Sequence, residues 1–197
     1  FNTSCVNSVT YVPDDNFENY LETHDANGTV VALGDATSMG NGIANDDYVF
    51  TNRINAVAIL RVNNLSISDM TGIEDFLSLQ VLDATSNNIS TINVTSLVSM
   101  YQLAIDFNPI TTIDVTQNSN LRILEVVNTG LINLDVTSNS VLEILKIDNT
   151  PLTMVDTSQN PSLKTFSAEV VPLSQVDFTN NTILEYLELR DNSLTSL

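Results

Sequence analysis

Four aspartates, Asp114, Asp135, Asp156 and Asp177, recur at intervals of 21 residues, with Asn93 one interval before them. Carboxylates at a fixed interval form a ladder along one side of a periodic fold, and a row of oxygens is what a hard cation such as Ca²⁺ chooses. Two unit charges about 5 Å apart repel by about 1 kcal/mol in water, and by more beside a low-dielectric surface, so something must offset them. Two offsets are open. Each Asp can accept a bond from the hydroxyl residue two positions on (Thr116, Thr137, Ser158, Thr179), closing an Asx-type turn. Alternatively, Ca²⁺ bridges neighbouring carboxylates. A second metal candidate is Asp25 with Asn27 and Thr29, which resembles the start of a calcium loop. The closing Glu is missing, however, and Asp35 falls one position late, so the segment reads better as a flexible cap loop.

Covalent chemistry has little to draw on. His24 is the sole histidine and reads as an exposed loop residue; Cys5 is the sole cysteine, has no activating neighbour and cannot pair within the chain. No Gly-rich phosphate loop, serine elbow or Cys/His metal spacing occurs. A non-catalytic protein is expected, with no required cofactor and Ca²⁺ as the one candidate ion. The 24 acidic and 6 basic residues give a formal charge of −18. Such a field repels phosphate backbones and anionic lipid, which argues against nucleic acid and membrane surfaces as partners. No apolar run approaches the roughly 20 residues needed to span a bilayer, so direct membrane insertion is not expected. The opening on Phe1 suits a mature protein whose leader has been removed.

The elements that position these residues come from an internal repeat. Units of 21 residues start at Leu79, Met100, Leu121, Leu142 and Leu163, a partial unit starts at Leu184, and a unit one residue longer runs from Val57 to Ser78. The fourth position reads Leu60, Leu82, Leu103, Leu124, Leu145, Phe166, Leu187, and the eleventh reads Ile67, Ile89, Ile110, Leu131, Leu152, Leu173, Leu194. Each unit divides into LxxLxLxxNx and LxxLDVxxNx halves. Apolar and polar residues alternate across LxL, the period of a half-buried strand, and turn formers follow. The expected fold is mainly β: a solenoid with short parallel strands on both long sides of each coil and aliphatic side chains between them. Asn87, Asn108 and Asn192 then occupy one corner, and Asn118, Asn139, Asn160 and Asn181 the other. There their amides are expected to bond backbone groups that no strand reaches.

The LxxLxLxxNxL pattern over residues 57–197 resembles the leucine-rich-repeat family. With its LxxLDVxxN half, the 21-residue unit resembles the bacterial subclass whose short repeats nest one half-motif in another. The resemblance implies a secreted or cell-surface protein. Departures are local: Thr129, Thr150 and Val171 replace the ninth-position Asn, and Leu97 replaces the nineteenth.

A solenoid end exposes apolar surface and strand edges and therefore needs a cap. Residues 1–56 lack the repeat and are assigned that role, with a helix at about 14–23 and a long polar loop at 24–47; residues 57–197 are assigned to about seven coils. Pro13 and two acids suit a helix N-terminus, and Phe17, Tyr20 and Leu21 form one apolar face to cover the first coil. At the other end Leu197 falls inside its coil's second strand with no capping sequence after it. The native chain is expected to continue, with end-to-end self-association through the open C-terminal coil as the alternative. For a ligand, the outward side of the first strand offers Ile123, Ile144 and Tyr186, with Lys146 and Val127 beside them: an apolar stripe flanked by mixed charge. The function expected is extracellular recognition or adhesion, with a protein or glycan as ligand. A structural spacer in a longer surface protein, or a noncatalytic targeting domain of a secreted enzyme, is the alternative.

Overall fold

The computed structural model describes residues 8–195. Seven three-residue strands form one parallel sheet: β3 (Ile59–Arg61), β4 (Val81–Asp83), β5 (Gln102–Ala104), β6 (Ile123–Glu125), β7 (Ile144–Lys146), β8 (Thr165–Ser167) and β9 (Tyr186–Glu188). They pair strictly in sequence order, and Leu60, Leu82, Leu103, Leu124, Leu145, Phe166 and Leu187 lie in one register row. One repeat is therefore one coil. The first six members of this row are fully buried, as are Ile67, Ile89, Ile110, Leu131, Leu152 and Leu173 across the coil. These rows make one continuous aliphatic core. Burying each such side chain is worth roughly 1.5–3 kcal/mol, and no single coil could do it alone.

The expected strands on the second long side do not form among the described residues; the LDV-type segments are turns. Asp114 Oδ1 accepts the N–H (2.9 Å) and the hydroxyl (2.7 Å) of Thr116. Two backbone turns follow at once, closed by Asn118 N–H to Val115 C=O (3.0 Å) and Leu121 N–H to Asn118 C=O (2.9 Å). Three successive turns direct N–H groups into their own coil, so too little chain remains to ladder with the next. On the sheet side, by contrast, amides such as Val62 and Asn64 donate to Asp83 and Thr85 of the following coil. The carboxylate alone is not decisive, because Asp83 closes the same bond to Thr85 N–H (3.1 Å) beside an intact strand. It is the Asn-closed turns that exclude a second sheet.

Side chains join the coils where backbone does not. Asn139 Nδ2 donates to Val115 C=O (3.0 Å) and Asn118 C=O (2.8 Å) of the preceding coil, and Asn118, Asn160 and Asn181 make the same pair of bonds one coil apart. At the other corner Asn87 accepts from Leu65 and Ile67 N–H and donates to Val62 and Ala84 C=O. Asn108 spans the next two coils similarly, and Asn192 donates to Ala168 C=O. Where Thr129 and Thr150 replace Asn, their hydroxyls bond Val126 and Ile147 C=O within the coil.

The cap comprises β1 (Val9–Tyr11), α1 (Asp15–Thr23), β2 (Tyr48–Phe50) and α2 (Thr51–Ile54), with β1 and β2 antiparallel. Asp14 caps α1 by accepting from Asn16 and Phe17 N–H, and its other oxygen accepts from Ser68 N–H, Ser68 hydroxyl and Asp69 N–H of the first coil. One carboxylate thus starts the helix and ties it to the solenoid. Burial alone would raise its pKa, but these bonds outweigh that and hold it below the usual value. Phe17 and Leu21 are fully buried, and the Phe17 ring stacks on Phe76 at 6.2 Å. Gly72, at φ 99°, lets the cap strand pass closely: a Cβ there would sit 2.7 Å from Tyr11 C=O. Glu18 and Glu22 are buried on the same helix and organise the polar loop. Glu18 accepts from Asp46 and Asp47 N–H, and Glu22 from Asn41 and Gly42 N–H.

Candidate functional site

The outward face of the sheet is a mosaic. In the third column Ile123 and Ile144 are half-buried neighbours in register, Tyr186 is 53% exposed, and Val81 is buried despite pointing outward. Charge surrounds this stripe in pairs made between coils. Lys146 Nζ lies 2.6 Å from Glu125, while Glu143 sits between Arg122 (3.2 Å) and Lys164 (2.6 Å). The Lys164 bond, with help from Arg122, holds the Glu143 carboxyl below its usual range, and the Glu125 bond raises the Lys146 ammonium. Val127 lies just past β6, half-buried, its N–H donating to Asp106 Oδ1 at 2.6 Å. The structure therefore brings Ile123, Ile144, Lys146 and Val127 into one neighbourhood, with Tyr186 two strands beyond Ile144.

Two further groups belong to this face and were not singled out in the sequence. Arg122, Glu143 and Lys164 fill the second column with alternating sign at 21-residue spacing, a signal the charges carry openly. Asp106 and Asp148 fill the seventh column and accept the amides of Val127 and Glu169 in the next coil, both at 2.6 Å. Burial pushes the Asp106 carboxyl up to about 6, with Glu125 and Asp83 adding to the rise, against the Val127 amide and Lys146. Of the six basic residues in the chain, Arg61, Arg122, Lys146, Lys164 and Arg190 all lie on a strand of the sheet or beside it, and Arg53 alone belongs to the cap.

The acidic ladder lies on the turn side and not on a strand. Asp114, Asp135, Asp156 and Asp177 are all exposed. Asp114 and Asp135 each bond the amide and hydroxyl two residues on; Asp156 and Asp177 bond the corresponding amides of Ser158 and Thr179. These bonds to the carboxylates lower all four pKa values. The carboxylates are thus stabilised in their charged form without a cation. In the cap loop Asp25 Oδ1 accepts from Asn27 N–H (2.9 Å) and Thr29 N–H (2.8 Å), so it is engaged in its own turn. The acidic cluster with metal-compatible spacing among the described residues is Asp15, Glu18 and Asp47, whose carboxylate oxygens lie within 4.8 Å of one another. It could chelate a divalent ion. Sequence spacing gave no hint of it, because α1 and the loop meet only in the fold.

His24 stacks on Tyr20 with ring centroids 4.0 Å apart, and its Nδ1 is 2.9 Å from Tyr20 C=O. It is half-buried, where an exposed loop position was expected. Cys5 and Leu197 lie outside the described residues. Among the described residues no nucleophile, base and orienting group converge, and none of their helices is long and apolar enough to cross a membrane.

No family model matches the chain, and no curated protein does either. Solved structures do. The functional domain of InlJ from Listeria monocytogenes superposes with a TM-score of 0.75 at 25% identity, over 96% of this chain and 44% of that one. Internalin C2 from the same species gives 0.62 at 18% identity, over 95% of this chain and 91% of that one. A leucine-rich-repeat protein of Leptospira interrogans gives 0.66 at 20% identity, over 75% of this chain and 40% of that one. The chain therefore spans less than half of the InlJ domain. With its single parallel sheet and aliphatic coils, it is a leucine-rich-repeat solenoid, related in fold to bacterial internalin-type surface proteins.

Proposed function

We propose that the chain is an extracellular recognition module that binds a protein or glycan on the outward face of its sheet, around Ile123, Ile144, Lys146, Val127 and Tyr186. The observation that carries this reading is the segregation of charge. In a chain of net charge −18, five of six cations gather on the sheet side, interleaved with acids and a short aliphatic stripe. Mixed charge around apolar contact is how specific surfaces combine complementarity with an anchor. The Asp and Asn columns of the turn side, by contrast, bond within the solenoid.

In this reading the chain belongs to the bacterial secreted or cell-surface subclass, which the nested 21-residue repeat supports, with residues 1–56 as cap and 57–197 as the binding array. The likeness to InlJ and internalin C2 supports a cell-surface location. The test is a triple variant, Ile123→Ser, Ile144→Ser and Tyr186→Ser, compared with wild type on a glycan array and in surface pull-downs. Binding should fall at least ~10-fold while the thermal midpoint holds, because anchors near the centre of an interface dominate its energy. Retained binding would move the site off the sheet.

A further inference from the structure

The cap loop and the first strand border a site at the cap end of the sheet face, apart from the Ile123, Ile144 and Tyr186 stripe. Two adjoining cavities of about 310 and 270 Å³ share Asn27, Ile59 and Arg61 among their lining residues. The larger is completed by Tyr20, His24, Asn63 and Leu65. Arg61 is unusual among the cations. Arg122, Lys146, Lys164 and Arg190 each hold a carboxylate, and Arg53 bonds Ser38 and Gly40 C=O. Among the described residues Arg61 has neither kind of partner, although Asp83 is its register neighbour on β4. Arg61 lines the cavities instead, close enough to the Tyr20 phenol to oppose the rise that burial, with the Asp25 carboxylate, imposes there.

We infer that this cavity binds an acidic sugar residue, with Arg61 receiving its carboxylate. A guanidinium offers a carboxylate two parallel N–H donors, the strongest and most directional pairing a side chain makes. Around that one charge stand groups suited to hydroxyls: the carboxamides of Asn27 and Asn63, the Tyr20 phenol and the His24 imidazole. Since a carbonyl only accepts, His24 Nδ1 is the nitrogen that donates to Tyr20 C=O, which leaves Nε2 as the remaining polar atom of the ring. Leu65 and Ile59 supply an apolar wall for the C–H face of a ring. A carboxylate ringed by vicinal hydroxyls uses all of these partners. An acidic peptide side chain uses the guanidinium and leaves the others without a purpose. The cap loop that looked like a calcium loop in sequence thus has Asn27 at its cavity edge and keeps Asp25 turned to its own backbone.

The experiment titrates the whole chain with D-glucuronate, D-glucose and N-acetylaspartate, following Tyr and His ring resonances. Glucuronate should bind with a dissociation constant on the order of millimolar, as suits a single small ligand, and at least ~10-fold more tightly than either control. Arg61→Gln should weaken it at least ~10-fold, whereas Arg190→Gln, a cation already paired on the same sheet, should leave it unchanged. Both sites are exposed, so the thermal midpoint should hold for each. Equal binding of glucuronate and glucose, or no effect of Arg61→Gln, overturns the site. N-acetylaspartate binding as tightly as glucuronate overturns the sugar. The triple variant at Ile123, Ile144 and Tyr186 should still bind glucuronate, which separates this inference from the sheet-face reading.

Discussion

The two halves of each repeat carry nearly the same apolar spacing, LxxLxL and LxxLDV, yet only the first makes a sheet. Both halves turn aliphatics inward: Leu124 and Val126 on one side and Val136 on the other are fully buried, although Ile92, Ile113, Val155 and Val176 of the second half are only partly so. What differs is how the backbone polar groups are satisfied. On the sheet side amide and carbonyl cross directly between coils; on the turn side the carbonyls of one coil are met by the Asn side chains of the next. Apolar periodicity therefore reports which side chains face inward, and the polar residues between them decide which hydrogen bonds hold the coils together. The two sides also diverge in titration. Asp106 beside the sheet is raised by burial, while Asp114 and Asp135 on the turns are lowered by the hydroxyls and amides they accept.

The sharpest way to break this comparison is at the Asn ladder. Asn139→Leu keeps the side-chain size but removes the bonds between coils to Val115 and Asn118 C=O, now 3.0 and 2.8 Å, leaving each carbonyl only the turn N–H of Asn118 or Leu121. Losing two buried hydrogen bonds between coils should cost about 1–3 kcal/mol, read as a lower urea midpoint with little change in slope. Leu97 is the native Leu of this column, fully buried, and beside it the Ser96 hydroxyl bonds Glu74 C=O of the preceding coil at 2.8 Å. If Asn139→Leu proved as stable as wild type, the ladder would not be what joins the coils on that side.

A smaller effect should appear on the sheet side and depend on pH. The folded Asp106 pKa of about 6 lies above its unfolded value near 3.8, so the native state favours the protonated form. Its contribution is full below the unfolded value and is lost as pH rises towards 6 and beyond. Asp106→Asn can still accept the Val127 amide and has no charge to bury. It should be more stable than wild type by about 1 kcal/mol at pH 8, after discounting for solvent screening of a partly exposed group, and the gain should vanish by about pH 4. Denaturant midpoints at the two pH values check the sign. A gain that persisted unchanged in acid would mean that the charge is not its source. On the turn side, Ca²⁺ provides the parallel probe. Calorimetry should register uptake and a raised melting temperature if carboxylates of the ladder or of Asp15, Glu18 and Asp47 chelate it; no heat and an unchanged midpoint would leave the turn bonds as the sole offset to their repulsion.

Much of this organisation was legible in the residues, and what was hidden follows a rule. The inward rows, from Leu60 to Phe166 and from Ile67 to Leu173, are local facts of spacing. The second sheet was over-read because alternation across LDV is compatible with a strand, and nothing in the periodicity shows that Asn118 N–H returns to Val115. Glu18 and Glu22 could not be anticipated as buried, since their partners are amides between Asn41 and Asp47, supplied only when the loop closes. The Arg61 cavity is hidden for the same reason: its walls come from α1, the loop and the first coil. The Arg122, Glu143 and Lys164 column, by contrast, was there to be read in the alternating signs.

The smallest expected effect tests the comparison most finely. The Oδ1 atoms of Asn118, Asn139 and Asn160 are buried and accept no hydrogen bond within the protein. Asn181 Oδ1 does, from the Thr157 hydroxyl at 3.0 Å, and Thr157 stands where the other coils carry Val94, Val115 and Val136. A hydroxyl one coil before an Asn is therefore already matched to it. Val136→Thr should give Asn160 Oδ1 the donor that Thr157 gives Asn181, and its stability should stay within about 0.5 kcal/mol of wild type, the new bond offsetting the buried hydroxyl. Val126→Thr makes the same exchange at an equally buried position on the sheet side, where no side-chain amide waits, and should cost about 1–3 kcal/mol. Equal losses at the two positions would show that the turn side has no special tolerance for a hydroxyl, and that Thr157 is an accident of its coil.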